Sequence, residues 1–165
     1  MSDVDGVNPL HDAMVRGRAA GNGTLLETDA GERIDDARFA DLAARFAAAL
    51  VAAGTVPGDR IAVQVAKSWQ ALALYVGCVR AGLVFLPLNP AYTETELDYF
   101  VADAEPVVLV VDPARAARGE RLVDGTLARA LTLGAEGDGT LPEAARAAEP
   151  MEGAVARRGD ELAAI

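Results

Sequence analysis

Two periods of apolar residues take turns along the chain. In one they recur every three or four positions, the spacing of a helix face; in the other they alternate or run together, as in strands. Residues 9–20 carry the helical spacing and end at the turn Gly21-Asn22-Gly23. Residues 24–28 and 32–34 are short extended runs around Asp29-Ala30-Gly31, which predicts a β-hairpin. Asp35 is placed to cap a helix with Phe39, Leu42, Ala43, Phe46, Leu50 and Ala53 on one face, and Gly54 stops it.

Pro57-Gly58-Asp59 turns the chain into a strand over 60–65. Ser68 can cap the next helix, whose inward residues are expected to be Leu72, Tyr75, Val76 and Val79, with Gly82 after it. Residues 83–88 are continuously apolar, the pattern of a strand buried on both faces. Pro87 has no amide proton for a ladder and belongs near a strand end or at a sheet edge. Thr93 and Glu96 spell a capping box, opening a helix with Leu97, Phe100, Val101 and Ala104 inward. Pro106 breaks that helix, and 107–111 is a second fully apolar strand, closed by Asp112-Pro113.

Further on, the pattern predicts a helix over 114–123, a short strand over 130–133 and a flexible linker over 134–139. Thr140 and Glu143, around Pro142, read as a second capping box for an alanine-rich helix to residue 149. Strands alternating with helices imply an α/β fold, a mostly parallel sheet flanked by helices. Residues 159–165 enter a new apolar run and stop within it, so the chain is expected to be cut from a longer one.

Composition sharpens this picture. The 165 residues are 52% hydrophobic and 24% charged, enough for a core and unlike a disordered chain. Alanine supplies 35 of them and aromatics are few, so helix and sheet must pack closely through small side chains. The formal net charge is −10, and no stripe of Lys and Arg stands along the sequence. That argues against nucleic acid or an anionic membrane as partner. Cys78 has no second cysteine to pair with, which suits a reducing compartment. The acidic N-terminus lacks the features of a signal peptide and no apolar run reaches ~20 residues, so a soluble cytoplasmic protein is expected.

Candidate chemistry is sparse. No Gly-x-Gly-x-x-Gly follows a strand and no Walker-type loop occurs. His11 has no nucleophile beside it and reads as a surface or cap histidine. Cys78, within an amphipathic helix, reads as a small buried hydrophobe. Asp112 ends a strand where parallel sheets place functional groups, but Pro113 makes it a turn former. Lys67, the lone lysine, stands at a strand-to-helix junction where anions can bind, and reads as a solvated side chain. No catalytic, cofactor-binding or metal residue is assigned.

One block of motifs carries a resemblance. Gly58-Asp59-Arg60-Ile61-Ala62-Val63, the turn Arg80-Ala81-Gly82, the run Phe85-Leu86-Pro87-Leu88-Asn89-Pro90, and Tyr92-Thr93 with Glu96-Leu97 follow in order. They resemble the N-terminal portion of adenylate-forming enzymes, the AMP-binding acyl-CoA synthetases and their relatives. Within that superfamily, Ala91-Tyr92-Thr93, Asp98-Tyr99-Phe100, Asp103-Ala104-Glu105-Pro106 and Asp160-Glu161-Leu162-Ala163-Ala164-Ile165 are most similar to malonyl-CoA synthetases.

The resemblance implies that residues 1–23 are an N-terminal helix and turn. Residues 24–165 would be an incomplete N-terminal subdomain of a larger domain, cut before the phosphate-binding loop. It also implies a ligase of fatty acid metabolism that uses ATP, Mg²⁺ and CoA. A carboxylate, in one reading malonate, displaces pyrophosphate from ATP to form an acyl-adenylate, and the CoA thiol then displaces AMP. The partners would be the missing remainder of the synthetase and its substrates. The matched positions are scaffold in that family, so the chain alone is expected to be inactive, to expose apolar surface and to associate. Two rival readings stand beside this one: a truncated, non-catalytic scaffold acting as an interaction module, and an independent small α/β nucleotide binder.

Overall fold

A computed structural model describes residues 8–15 and 23–165. The chain opens with a short helix, α1 (Pro9–Val15), so the part of the expected 9–20 helix beyond Val15, and Gly21-Asn22 of its turn, lie outside the described residues. The hairpin forms as β1 (Thr24–Glu27) and β2 (Arg33–Asp35), antiparallel and separate from the main sheet. Asp35 leads straight into α2 (Asp36–Ala52), its side chain accepting from the Arg38 amide at 2.7 Å, and Gly54 follows with φ 97°.

The main sheet has four parallel strands in the order β4 (Val84–Pro87), β3 (Arg60–Gln64), β5 (Val108–Val111), β6 (Arg129–Thr132). The chain runs from β3 through α3 (Trp69–Arg80) to β4, then crosses through α4 (Glu94–Ala104) to the other side of β3. From β5 a 3₁₀ turn (Pro113–Arg115) and α5 (Ala116–Val123) lead to β6, and α6 (Thr140–Ala147) follows. Alternate side chains split the core. Ile61, Val63, Val108 and Val110 pack with α2, α3 and α6; Ala62, Leu109 and Val111 pack with Leu97, Val101 and Val123 of α4 and α5.

Several expectations change in three dimensions. Leu72 does not face inward. It is 46% exposed, whereas Ala73, Leu74, Gly77 and Cys78 are buried with Val76 and Val79. Helix α3 lies between the sheet and α2, so it is buried on two sides and no single stripe describes it. The run 83–88 is not buried on both faces either: β4 stands at the edge of the four strands, with Phe85 and Leu86 partly exposed. Pro87, its last residue, stands where its missing amide proton allows.

Residues 134–139 form a hydrogen-bonded turn rather than a flexible linker: the Gly134 amide bonds the Asp138 carbonyl at 2.8 Å and the Gly137 amide the Gly134 carbonyl at 3.1 Å. The second capping box does not form. Gly139, not Thr140, precedes α6 as its cap, and the Thr140 hydroxyl turns back to accept from the Thr132 amide at 3.0 Å. The Thr93–Glu96 box does form, with the Glu96 carboxylate 2.8 Å from the Thr93 amide.

The chain's last residues add to the sheet. The Phe85 amide donates to the Ala163 carbonyl at 2.9 Å and the Ile165 amide to the Phe85 carbonyl at 3.1 Å, a parallel bridge along the outer side of β4.

Candidate functional site

Parallel sheets gather polar groups at the carboxyl ends of their strands, above all where the strand order reverses. Here that point lies between β3 and β5, since the connection leaving β3 runs through α3 on one face of the sheet and the connection leaving β5 through α5 on the other. Gln64, the last residue of β3, is fully buried there. Its Nε2 donates to the Asn89 carbonyl at 2.9 Å, and among the described residues its Oε1 has no hydrogen-bond partner. The same Asn89 carbonyl accepts from the Tyr92 amide at 3.0 Å, and the Asn89 side chain accepts from the Ala91 amide at 2.9 Å. Tyr92 stacks on Phe100 with centroids 4.9 Å apart, so the loop after β4 is held at both ends.

The other groups at this edge are mostly committed to backbone. Ser68 accepts from the Ala71 amide at 3.1 Å and caps α3. Asp112 accepts from the Ala114 amide at 2.9 Å, the turn-forming role read from the sequence. Arg115 reaches over to the Pro90 carbonyl at 3.0 Å. Lys67 is exposed, as expected. Gln70, in the first turn of α3, is buried beside the turn at Gly137, and its Oε1 also lacks a partner among the described residues. Among the described residues the arrangement can accept hydrogen bonds and present the cations of Lys67 and Arg115, and it sets no nucleophile against a base.

The remaining candidates sit elsewhere. Cys78 is fully buried, and burial pushes its thiol up, so it packs as a hydrophobe and supplies no thiolate. His11 is not a surface residue: it is 8% exposed, on α1 and against Arg80 at the end of α3. Its backbone amide donates to Asn8 Oδ1 at 3.1 Å, and its Nε2 lies 3.5 Å from Arg80 Nη1. A guanidinium can only donate, so in this contact Nε2 can serve only as the acceptor. Nδ1 stands 3.8 Å from Asp12, too far for a hydrogen bond. Burial first, and the Arg80 charge second, hold the imidazole below its ordinary range; the Asp12 carboxylate opposes them. Arg80 is fixed by two bonds to the Met151 carbonyl, at 3.0 and 2.7 Å, so this cluster is a structural clasp.

Gln64, Gln70 and Arg80 were not singled out as site residues from the sequence. A glutamine inside Val63-Gln64-Val65 was a signal, because a polar side chain in a buried strand must meet a partner. Nothing in the sequence marked Gln70.

A family model described as AMP-binding enzyme matches residues 13–165. Among curated proteins, a salicylyl-CoA synthase / salicylate adenylyltransferase from a Streptomyces species is 32% identical over 142 residues, covering 82% of this chain and 26% of its own. A feruloyl-CoA synthase from an Amycolatopsis species is 36% identical over 99 residues, covering 60% of this chain and 20% of its own. Among solved structures, MatB from Rhodopseudomonas palustris, both apo and ATP-bound, superposes with TM-score 0.90 at 41% identity over 95% of this chain and 31% of that one. The chain thus spans less than a third of the length of each of these relatives.

Proposed function

Because the chain belongs to the AMP-binding enzyme family, we propose that it is the N-terminal portion of an ATP-dependent acyl-CoA synthetase acting in the cytoplasm. On this reading residues 24–165 belong to the N-terminal subdomain of that synthetase, of which the chain supplies a part. The observation that carries the reading is the match to MatB over 95% of the chain at 41% identity. Together with the sequence resemblance to malonyl-CoA synthetases, it favours malonate as the carboxylate. The relatives whose names specify CoA synthases, and the ATP-bound form of MatB, support CoA and ATP as co-substrates.

The described residues themselves do not fit the nucleotide's phosphates or a magnesium ion. Among them no group of three His, Cys, Asp or Glu side chains could hold a metal, and Gln64 Nε2, Ser68 and Asp112 at the strand ends are each bonded to backbone groups. What these residues do is build a sheet and fix its loops. Gln64 ties the ends of β3 and β4 together, and the Thr93–Glu96 box fixes the start of α4. Chemistry is assigned to the portion beyond them.

The test is thioester formation by the full-length protein given ATP, Mg²⁺, CoA and a panel of malonate, salicylate, ferulate and benzoate. Malonate is expected to be the best substrate. Preference for an aromatic acid would overturn the malonate assignment and leave the ligase reading standing; no thioester from any acid would overturn both. The 165-residue chain alone is expected to release no pyrophosphate, and turnover by it would contradict the scaffold assignment.

A further inference from the structure

Three stretches distant in sequence meet at one node: the start of α1, the end of α3, and residues 151–155. Asn8 touches all three. Its Nδ2 donates to the Val79 carbonyl at 2.8 Å and the Val155 carbonyl at 3.1 Å, and its Oδ1 accepts from the His11 amide. Alongside, His11 Nε2 stands 3.5 Å from Arg80 Nη1, while Arg80 Nε and Nη2 both donate to the Met151 carbonyl. The backbone of 151–155 is tied down as well, the Met151 amide to the Ala44 carbonyl at 3.1 Å and the Val155 amide to the Arg80 carbonyl at 2.8 Å. The guanidinium therefore lies between two acceptors, a ring nitrogen and a carbonyl. A proton on Nε2 removes the first of them and sets cation against cation where little water screens the charges.

We propose that α1 is a pH-sensitive latch for residues 151–155: neutral His11 braces the Arg80 guanidinium against the Met151 carbonyl, and protonation of His11 drives the guanidinium off it and frees the stretch from α3. Two charged groups act on the ring. Arg80, from α3, disfavours the proton; Asp12, beside it on α1 with a carboxylate oxygen 3.8 Å from Nδ1, favours it. Glu152, the charged residue of the latched stretch, is exposed. Burial acts in the same direction as Arg80 and is the larger effect, so the closed form holds the imidazole below its ordinary value of 6.5. A ring released into water regains that value, and the open form binds the proton more readily. Release therefore grows as pH falls below 6.5 and levels off below the lowered value. The latch is independent of the ligase assignment, since it rests on contacts within this chain alone.

The experiment is amide hydrogen exchange of the full-length protein, read by mass spectrometry from about pH 7.5 to about pH 5 and corrected at each pH for the intrinsic exchange rate. Residues 151–155 are expected to lose protection as pH falls, while β5, in the middle of the sheet, keeps its protection and shows that the fold is intact. His11→Gln presents Arg80 with an uncharged acceptor at every pH and is expected to keep residues 151–155 protected throughout. Constant protection of 151–155 in the native protein would overturn the proposal. So would the same acid-induced loss in His11→Gln, which would assign the titration to another group, or a loss from β5 at the same pH, which would make the change global unfolding.

Discussion

Gly77 shows how tightly an alanine-rich core constrains single positions. A Cβ built there would lie 2.8 Å from the Ala43 carbonyl oxygen and 3.2 Å from the Ala47 amide nitrogen, both backbone atoms that cannot swing aside. Gly77→Ala therefore forces α2 and α3 apart, and overpacking costs about 1–3 kcal/mol against a helix-propensity gain of about 1. The expected outcome is a lower urea midpoint with an unchanged m-value. His11 supplies a second prediction at this scale. Its pKa is lowered in the folded state, so the unfolded chain binds more protons as pH falls below the ordinary value of 6.5. Its contribution is complete above that value and is lost as pH falls through the depressed folded value. Thermal unfolding scans between neutral and mildly acidic pH should show a steeper loss of Tm for the native protein than for His11→Gln.

Caps separate the helices by how their ends are made. Thr93 and Glu96 satisfy one another's amides, and those bonds hold the Glu96 carboxyl below its usual range. Thr93→Ala should cost about 1 kcal/mol of stability. The same letters at Thr140 and Glu143 do something else, because Thr140 ties α6 back to the end of β6. Glu143→Ala is therefore expected to change stability by no more than about 0.5 kcal/mol, checked by chemical denaturation beside Thr93→Ala. A three-residue spacing describes which groups could meet. The direction in which the preceding strand enters decides whether they do.

Across the whole molecule, the sheet has an edge that the chain covers with its own last residues, paired to Phe85. Leu72, Leu127, Leu162 and Ile165 are 46%, 99%, 54% and 56% exposed, so apolar surface lies on several faces. The 165-residue chain is expected to self-associate with rising concentration, read by sedimentation velocity; a single monomer species at all concentrations would contradict this. Among the described residues no helix is long and apolar enough to cross a membrane.

Local rules were enough for much of this architecture. The hairpin, the Asp35, Ser68 and Thr93 caps, the Val108–Val111 strand and the alternation that implies a parallel sheet all follow from interactions within a few residues, which a sequence states directly. The motif order also carried the family. What depended on the folded chain was everything set by distant neighbours. The edge position of β4, the double burial of α3, the bond from the Thr132 amide to the Thr140 hydroxyl in place of a cap, and the clasp of His11 on Arg80 depend on how separate elements meet. Burial is decided by what covers a residue, and no local pattern encodes that. Hence Gln70 became informative only once the fold had removed water from its oxygen and left it without a donor, whereas Gln64 already stood out as a polar residue inside an apolar strand.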